Sequence, residues 1–182
     1  MTRDSEEFTR IFNEVYPDLC RFLECLMGES GAAQEIAQES FLRFYRAGSA
    51  GPPADQSRFW LYRVARNLAL NELKKRQIRI KLFGRIVDVF RPKAPDPKAE
   101  LERKEHKHIL MNLLESLPEH QRAALLLREQ EEMSYADIAR VLKVSESKVK
   151  VDIFRARARL RALWNETENA RAHNLERSKA IP

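Results

Sequence analysis

The sequence predicts an all-α chain of two small helical domains joined by a flexible linker. Three observations carry that prediction. Apolar residues recur at steps of three and four over most of the chain, and few stretches alternate as strands do. Glycine is scarce, at 5 of 182 residues. RPKAPDPK (91–98) is proline-rich and breaks the periodicity between two helical blocks. The boundaries that follow are a first domain over 1–77, a linker over 78–100, a second domain over 101–164 and a polar tail over 165–182.

In the first block, residues 5–27 read as two core-forming helical stretches hinged near Pro17, the first with Phe8, Ile11, Phe12 and Val15, the second with Leu19, Phe22, Leu23 and Leu26. Gly28 to Gly31 reads as a turn. The next helix sets Ala33, Ile36, Ala37, Ser40, Phe41 and Phe44 on one face. Its other face gathers Gln34, Glu35, Gln38, Leu42 and Tyr45, with Glu39 and Arg43 at the margins. Such a face suits a solvated surface and a protein-docking surface equally.

AGSAGPPADQ (47–56) is a loop by composition. Ser57 is positioned to cap a helix reaching about Gln77, with Leu61, Val64, Ala65 and Leu68 inward. Arg63, Arg66, Asn67, Leu70 and Lys74 face outward, bordered by Trp60 and Asn71. Aromatic, cationic and amide groups on one face suit single-stranded nucleic acid, because bases stack on rings at about 1–3 kcal/mol each while phosphates meet Arg and Lys. Trp60 suits a core position at a helix start as well.

Residues 78–90 are apolar without a single period; their first half can extend the preceding helix or pack on a partner. A new helix from about Ala99 carries Leu101, Ile109, Leu110, Leu113, Leu114 and Leu117, and stops at Pro118, a good first residue for the helix that follows. SYADIARVLKVSESKVKVDIFRARARLRALW (134–164) then reads as a helix-turn-helix. Ser134 and Asp137 cap the first helix, which aligns Tyr135, Ile138, Ala139 and Leu142. Lys143 and Val144 turn, and Ser145 caps a second helix whose core stripe is Val149, Ile153, Ala156, Leu160, Leu163 and Trp164.

Opposite that stripe stand Ser147, Val151, Phe154 and Ala158, flanked by Lys148, Lys150 and Arg155. A solvated face seldom mixes Val and Phe with cations. A helix in a major groove uses them against thymine methyls while Arg and Lys take base edges or phosphates. Arg157, Arg159 and Arg161 continue the charge toward phosphate-contacting positions and complement the helix dipole. Beyond Trp164 the tail is polar and has no stripe, which predicts fraying.

The net charge of +6 is uneven: residues 143–164 hold 7 Lys/Arg against 2 Asp/Glu, whereas residues 1–77 are balanced at 11 and 11. Localised positive charge on a helix with a core-facing stripe points to nucleic acid more than to a membrane. The charged start MTRDSEEF, with no apolar run near the ~20 residues that span a bilayer, predicts a soluble cytoplasmic protein. Cys20 and Cys25 lie five apart on a helix, and His106, His108, His120 and His173 do not cluster with them, so reduced thiols are expected, with neither a disulfide framework nor a zinc site. No paired acid and base, nucleophile constellation, phosphate loop or metal-ligand spacing is present. No enzyme activity, cofactor, metal or small-molecule substrate is therefore expected.

AQEIAQESFLRFYR (33–46) and RFWLYRVARNLALNELKKR (58–76) resemble region 2, and LPEHQRAALLLREQEEMSYADIARVLKVSESKVKVDIFRARARL (117–160) resembles region 4, of the sigma-70 family of bacterial RNA polymerase initiation factors. The likeness is to the small extracytoplasmic-function (ECF) group, whose members direct promoter recognition, melting and initiation. It implies that Glu35, Gln38, Glu39, Leu42 and Arg43 dock on the polymerase clamp. Arg63, Arg66 and Asn67, with Trp60 and Lys74 on the same helix, would meet the minus-ten element, and loop 47–56 would cup an extruded base. Ser147, Lys148, Lys150, Val151, Phe154 and Arg155 would read the minus-thirty-five element. The implied partners are core RNA polymerase, promoter DNA and an anti-sigma factor, often membrane-bound, with the linker threading the polymerase.

Glu132 stands where the family commonly has Gly, Asp152 where a basic residue is frequent, and Val151 where a small polar residue is usual. The loop before Ser57 is also unusually rich in Pro and Ala. The competing reading from the residues is a stand-alone helix-turn-helix regulator with 1–77 as a sensing or dimerisation module. It predicts tight operator binding without polymerase.

Overall fold

The computed structural model describes residues 5–83 and 108–179. Most of the expected linker, and the expected helix start near Ala99 with Leu101, lie outside the described residues. Among the described residues there are seven α-helices and no strand: α1 Ser5–Met27, α2 Ser30–Ala47, α3 Ser57–Phe83, α4 over 108–115, α5 Glu119–Glu129, α6 Tyr135–Leu142 and α7 Glu146–Lys179.

α1 continues through Pro17 as one helix, not as the two stretches expected. Pro17 and Asn13, whose carbonyl loses its helical donor, are both exposed, and water can satisfy that oxygen. Ile11, Val15, Leu19, Phe22, Leu23 and Leu26 meanwhile form one buried stripe on both sides of the proline. The break comes at Gly28, whose φ of 76° is left-handed; a Cβ there would sit 1.9 Å from Glu115 Oε1. Gly31 is already inside α2.

α1, α2 and α3 pack around an aromatic cluster. Phe12 meets Phe41 edge-on at 5.0 Å, Phe22 meets Tyr62 at 5.3 Å, and Trp60 packs on Phe44 at 5.8 Å. Trp60 is thus a half-buried core partner. On α3 the buried apolar and aromatic residues are Leu61, Tyr62, Ala65 and Ala69, whereas Val64 and Leu68 are half-buried. The inward face is rotated toward Tyr62 because α3 packs on α6 as well as on α1 and α2. Ser57 is not a cap: it is the first helical residue, buried, and its hydroxyl donates to the Pro53 carbonyl at 3.0 Å.

The second group is α4 to α7. Pro118 is the N-cap of α5, one residue earlier than expected, with ψ 139°. Leu114 and Leu117 are buried, while Leu110 faces solvent. Ser134 caps α6 by accepting from the Asp137 amide at 3.1 Å, and Ser145 accepts from the Lys148 amide at 3.2 Å to open α7. Lys143 turns the chain in the left-handed conformation, φ 55°. Val149, Ile153 and Ala156 are buried as expected; Leu160 and Leu163 are half-buried, and Trp164 is exposed because α5 and α6 end before it.

The expected fraying after Trp164 is not seen: the backbone is helical to Lys179. Residues 165–179 contain no Gly or Pro and are rich in Glu, Ala, Arg, Leu and Lys, which propagate an established helix without a core stripe. No helix among the described residues is long and apolar enough to cross a membrane. Cys20 and Cys25 are half-buried thiols.

Candidate nucleic-acid and protein interfaces

The N-terminal half of α7 presents the sequence-expected outer face. Ser147, Lys148, Lys150 and Arg155 are exposed, Val151 is 42% exposed and Phe154 is 72% exposed. An aromatic ring so open, with cations on either side, has no packing reason to be there. Several of the cations are already oriented. Lys150 Nζ lies 5.6 Å from the centre of the Tyr135 ring and the Arg128 guanidinium 5.2 Å from the same centre. Arg157 pairs with Glu129, its Nε donating at 3.1 Å, a bond and charge that raise its pKa.

Asp152 lies on the inner side of this helix at 2% exposure and accepts from Lys148 Nζ at 2.5 and 2.6 Å, with His120 Nε2 at 3.7 Å. The acid therefore ties the first turn of α7 to itself and to α5. Lys148 reaches the outer face as a neutralised pair, a different chemistry from the free cation expected at that position.

The expected single-strand face on α3 is divided. Asn67 and Lys74 are exposed, and Arg63 is half-buried. Arg66 donates from Nε and Nη2 to the two carboxylate oxygens of Glu119, both at 2.8 Å, and is only 15% exposed. One turn and two turns before it, Tyr62 and Arg58 both meet Glu131. Arg58 Nη2 donates to the Glu131 carbonyl and carboxylate, each at 3.1 Å, and the Tyr62 hydroxyl donates to the same carboxylate. Burial, then the Glu131 charge, push the Tyr62 phenol far above its ordinary pKa, so it stays a donor.

On α2, Glu35, Gln38, Leu42 and Arg43 are exposed, Leu42 at 41%, and Glu39 accepts from Arg43 Nε at 2.7 Å. A groove between α2 and α3 is lined by Glu35, Glu39 and Arg43 from one side and by Leu68 and Lys74 from the other. Lys74 therefore sits with the residues expected to dock on protein, apart from Arg66.

The family model described as Sigma-70 region 2 matches residues 11–78, and that described as Sigma-70, region 4 matches residues 107–160. The chain belongs to the sigma-70 family. Within it, the chain is 30% identical over 172 residues to the ECF RNA polymerase sigma factor SigM of Bacillus subtilis, covering 93% of this chain and 99% of that one. It is 37% identical over 140 residues to the RNA polymerase sigma-H factor of Pseudomonas aeruginosa, covering 69% of each. These relatives support its place in the ECF group. The fold matches the sigma factor RpoE of Bartonella quintana, solved with the anti-sigma factor NepR, at a TM-score of 0.70 and 21% identity over 88% of this chain and 98% of that one. CnrH, solved with the cytosolic domain of CnrY, matches at a TM-score of 0.69 and 21% identity, over 90% of each chain.

Several structurally decisive residues of this sigma-70 chain escaped the sequence reading: Glu119 and Glu131, and the α3 residues Arg58 and Tyr62 that meet Glu131. Arg122 is another. At 8% exposure its guanidinium donates to the carbonyls of Leu26 at 2.7 Å, Glu115 at 2.9 Å and Leu117 at 3.1 Å, joining the end of α1 to the α4–α5 turn. Only the four-residue spacing of Arg58, Tyr62 and Arg66, which makes one stripe on a helix, hinted at a shared partner.

Proposed function

We propose that this chain is a promoter-specificity subunit of the ECF type that joins core RNA polymerase, reads the minus-thirty-five element with α7 and captures the melted minus-ten strand with α3. The observation that carries the reading is the outer face of α7, where Phe154 and Val151 stand exposed among Lys150, Arg155 and the Lys148–Asp152 pair on a helix-turn-helix. Apolar groups there discriminate thymine from cytosine through the methyl, and Arg155 is placed for a base edge. Arg63, Arg66 and Asn67 supply the cations and amide for the single strand, with loop 47–56 as the cup for an extruded base, while Trp60 supports the helix from the core and Lys74 joins the docking groove.

Glu35, Gln38, Glu39, Leu42 and Arg43 form the polymerase-docking face, with one exposed leucine in a polar rim. Catalysis belongs to the polymerase, and the protein itself is not an enzyme. It works in the cytoplasm, and an anti-sigma factor, in many family members a membrane protein, covers the docking faces until a signal releases them.

The test is reconstitution. Core polymerase supplemented with this chain is expected to start from a discrete subset of promoters in a genomic run-off screen. Failure at every promoter, or tight sequence-specific duplex binding by the chain alone, would overturn the assignment.

A further inference from the structure

Lys148 and Asp152 stand one turn apart on α7, but they are exposed very unequally. Asp152 is 2% exposed, whereas the Lys148 side chain keeps 46% of its surface. Both carboxylate oxygens accept from Lys148 Nζ, at 2.5 and 2.6 Å, and His120 Nε2 of α5 lies 3.7 Å from one of them. A pair at this spacing supports a helix equally well from the solvent face. Burying the acid adds a constraint, because a lysine that left for a phosphate would strand a carboxylate charge in the interior.

The constraint changes what Lys148 can offer a nucleic acid. An ammonium has three N–H donors and no acceptor, and Asp152 takes two of them. One donor remains, on a half-exposed side chain. Its place is the first turn of α7, where the Lys148 amide donates to the Ser145 cap, and the N-terminal residues of a recognition helix are those that meet base edges. Val151 and Arg155, both exposed, continue the same side of the helix three and seven positions on.

We propose that Lys148 is a base-reading residue and Asp152 its positioning residue: the neutral pair makes no phosphate contact and presents one N–H that selects a guanine in the minus-thirty-five duplex. The proposal rests on the reading of α7 as the duplex-reading helix. Guanine follows from the chemistry of the major-groove edges. Its O6 and N7 both accept, whereas adenine sets an N6 donor beside N7 and cytosine offers an N4 donor. Neutrality separates Lys148 from Arg159, because a cation laid on a phosphate releases counterions and steepens the salt dependence of binding, while a neutral pair does not.

Two measurements on the full chain test the assignment. The first is the salt slope of binding to a labelled duplex of about 30 base pairs and random sequence, followed by anisotropy. The second is the base preference recovered when the chain on core polymerase selects from a randomised duplex library. Asp152→Asn frees the lysine charge, and is expected to steepen the slope by about one and to tighten random-duplex binding several-fold. Glu166→Gln, at an exposed acid further along α7, changes net charge equally and is expected to do neither. Lys148→Gln with Asp152→Asn deletes the pair at constant net charge. That double variant is expected to keep the wild-type slope and to lose about tenfold of a guanine preference at one position. It leaves no charge in the interior, so it keeps the test open if a single substitution impairs folding.

Three results would overturn the proposal. They are an Asp152→Asn slope equal to wild type, a double variant whose slope falls by about one as expected for Arg159→Ala, and a double variant that keeps every base preference. The second would put Lys148 on a phosphate, and the third would leave the pair with helix stability alone. Any of them, with Arg159→Ala lowering the slope and the wild type selecting a sequence, would defeat the Lys148 assignment by itself. An unchanged slope in Arg159→Ala and no sequence selected by wild type would defeat the reading of α7, and this assignment with it.

Discussion

On α7, Lys150, Val151, Phe154 and Arg155 stand open, Phe154 at 72% exposure, while on α3 the Arg66 guanidinium is 15% exposed and gripped by Glu119. Both helices carry cations turned from their own bundle core. They differ in what lies opposite. Among the described residues Val151 and Phe154 on the first turns of α7 stand exposed, and Asp152, buried beneath them, pairs with Lys148. α3 is met by acids at both ends of α5 and by a buried hydrogen-bonded phenol. The two cationic rows thus differ in whether carboxylates from another helix face them.

The largest expected effect tests what holds α5 in place. Arg122→Ala removes three hydrogen bonds to carbonyls that have little access to water, and should destabilise the fold by about 3 kcal/mol. For a chain of this length that corresponds to a fall of roughly 6–12 °C in Tm. Phe154→Ala, on the open face, should leave Tm unchanged because its ring is 72% exposed. Equal melting curves for the two variants would mean that the covered face is no more integrated into the core than the open one.

The open face is sharpened by comparing two arginines on one helix. Arg155→Ala should lose about 1–3 kcal/mol of minus-thirty-five discrimination at a single base pair, whereas Arg159→Ala should weaken binding to every duplex alike and reduce the salt slope by about one. The measurement is polymerase-dependent promoter binding over a set of single-base variants. Uniform losses from both would place base reading elsewhere on α7.

The helices were legible because period and caps are local. Ser134, Asp137 and Ser145 do what their positions indicate, and the α7 stripe of Val149, Ile153 and Ala156 fixes the opposite face by geometry alone. Local rules misled where tertiary packing or chain connectivity took over. Pro17 was absorbed because the carbonyl it leaves without a donor belongs to the exposed Asn13, and the polar tail continued a helix already nucleated. The cover of α3 was illegible for a different reason. Arg66 meets an acid 53 positions away, and Tyr62 and Arg58 meet one 69 and 73 positions away. In the sequence those acids belong to ordinary charged stretches, EHQR and REQEE, indistinguishable from a solvated surface.

Tyr62 allows the covered face to be probed by pH. Its folded pKa is raised, by burial first and by Glu131 next, so the folded chain retains a proton that the unfolded chain gives up above about pH 10. Stability from this group is therefore complete below pH 10 and declines as pH rises beyond it. Tyr62→Phe should cost about 1–2 kcal/mol at neutral pH through the lost bond to a charged acceptor, and should flatten the alkaline decline in denaturant midpoint. An unchanged alkaline slope would mean that the phenol is not sealed under Glu131.

The smallest effect concerns the turn that aims Glu131. Glu132, beside it, adopts φ 54°, a left-handed conformation that costs an L-residue about 1–2 kcal/mol and that glycine adopts freely. Part of the relief is offset by the extra freedom of glycine in the unfolded chain, so Glu132→Gly should gain about 0.5–1 kcal/mol. That amounts to a rise of roughly 1–4 °C in Tm. Because Glu131 keeps its bonds to Arg58 and Tyr62, the alkaline decline in denaturant midpoint should match that of wild type. A changed alkaline slope would show that the turn at Glu132, by placing Glu131, sets how the phenol is held.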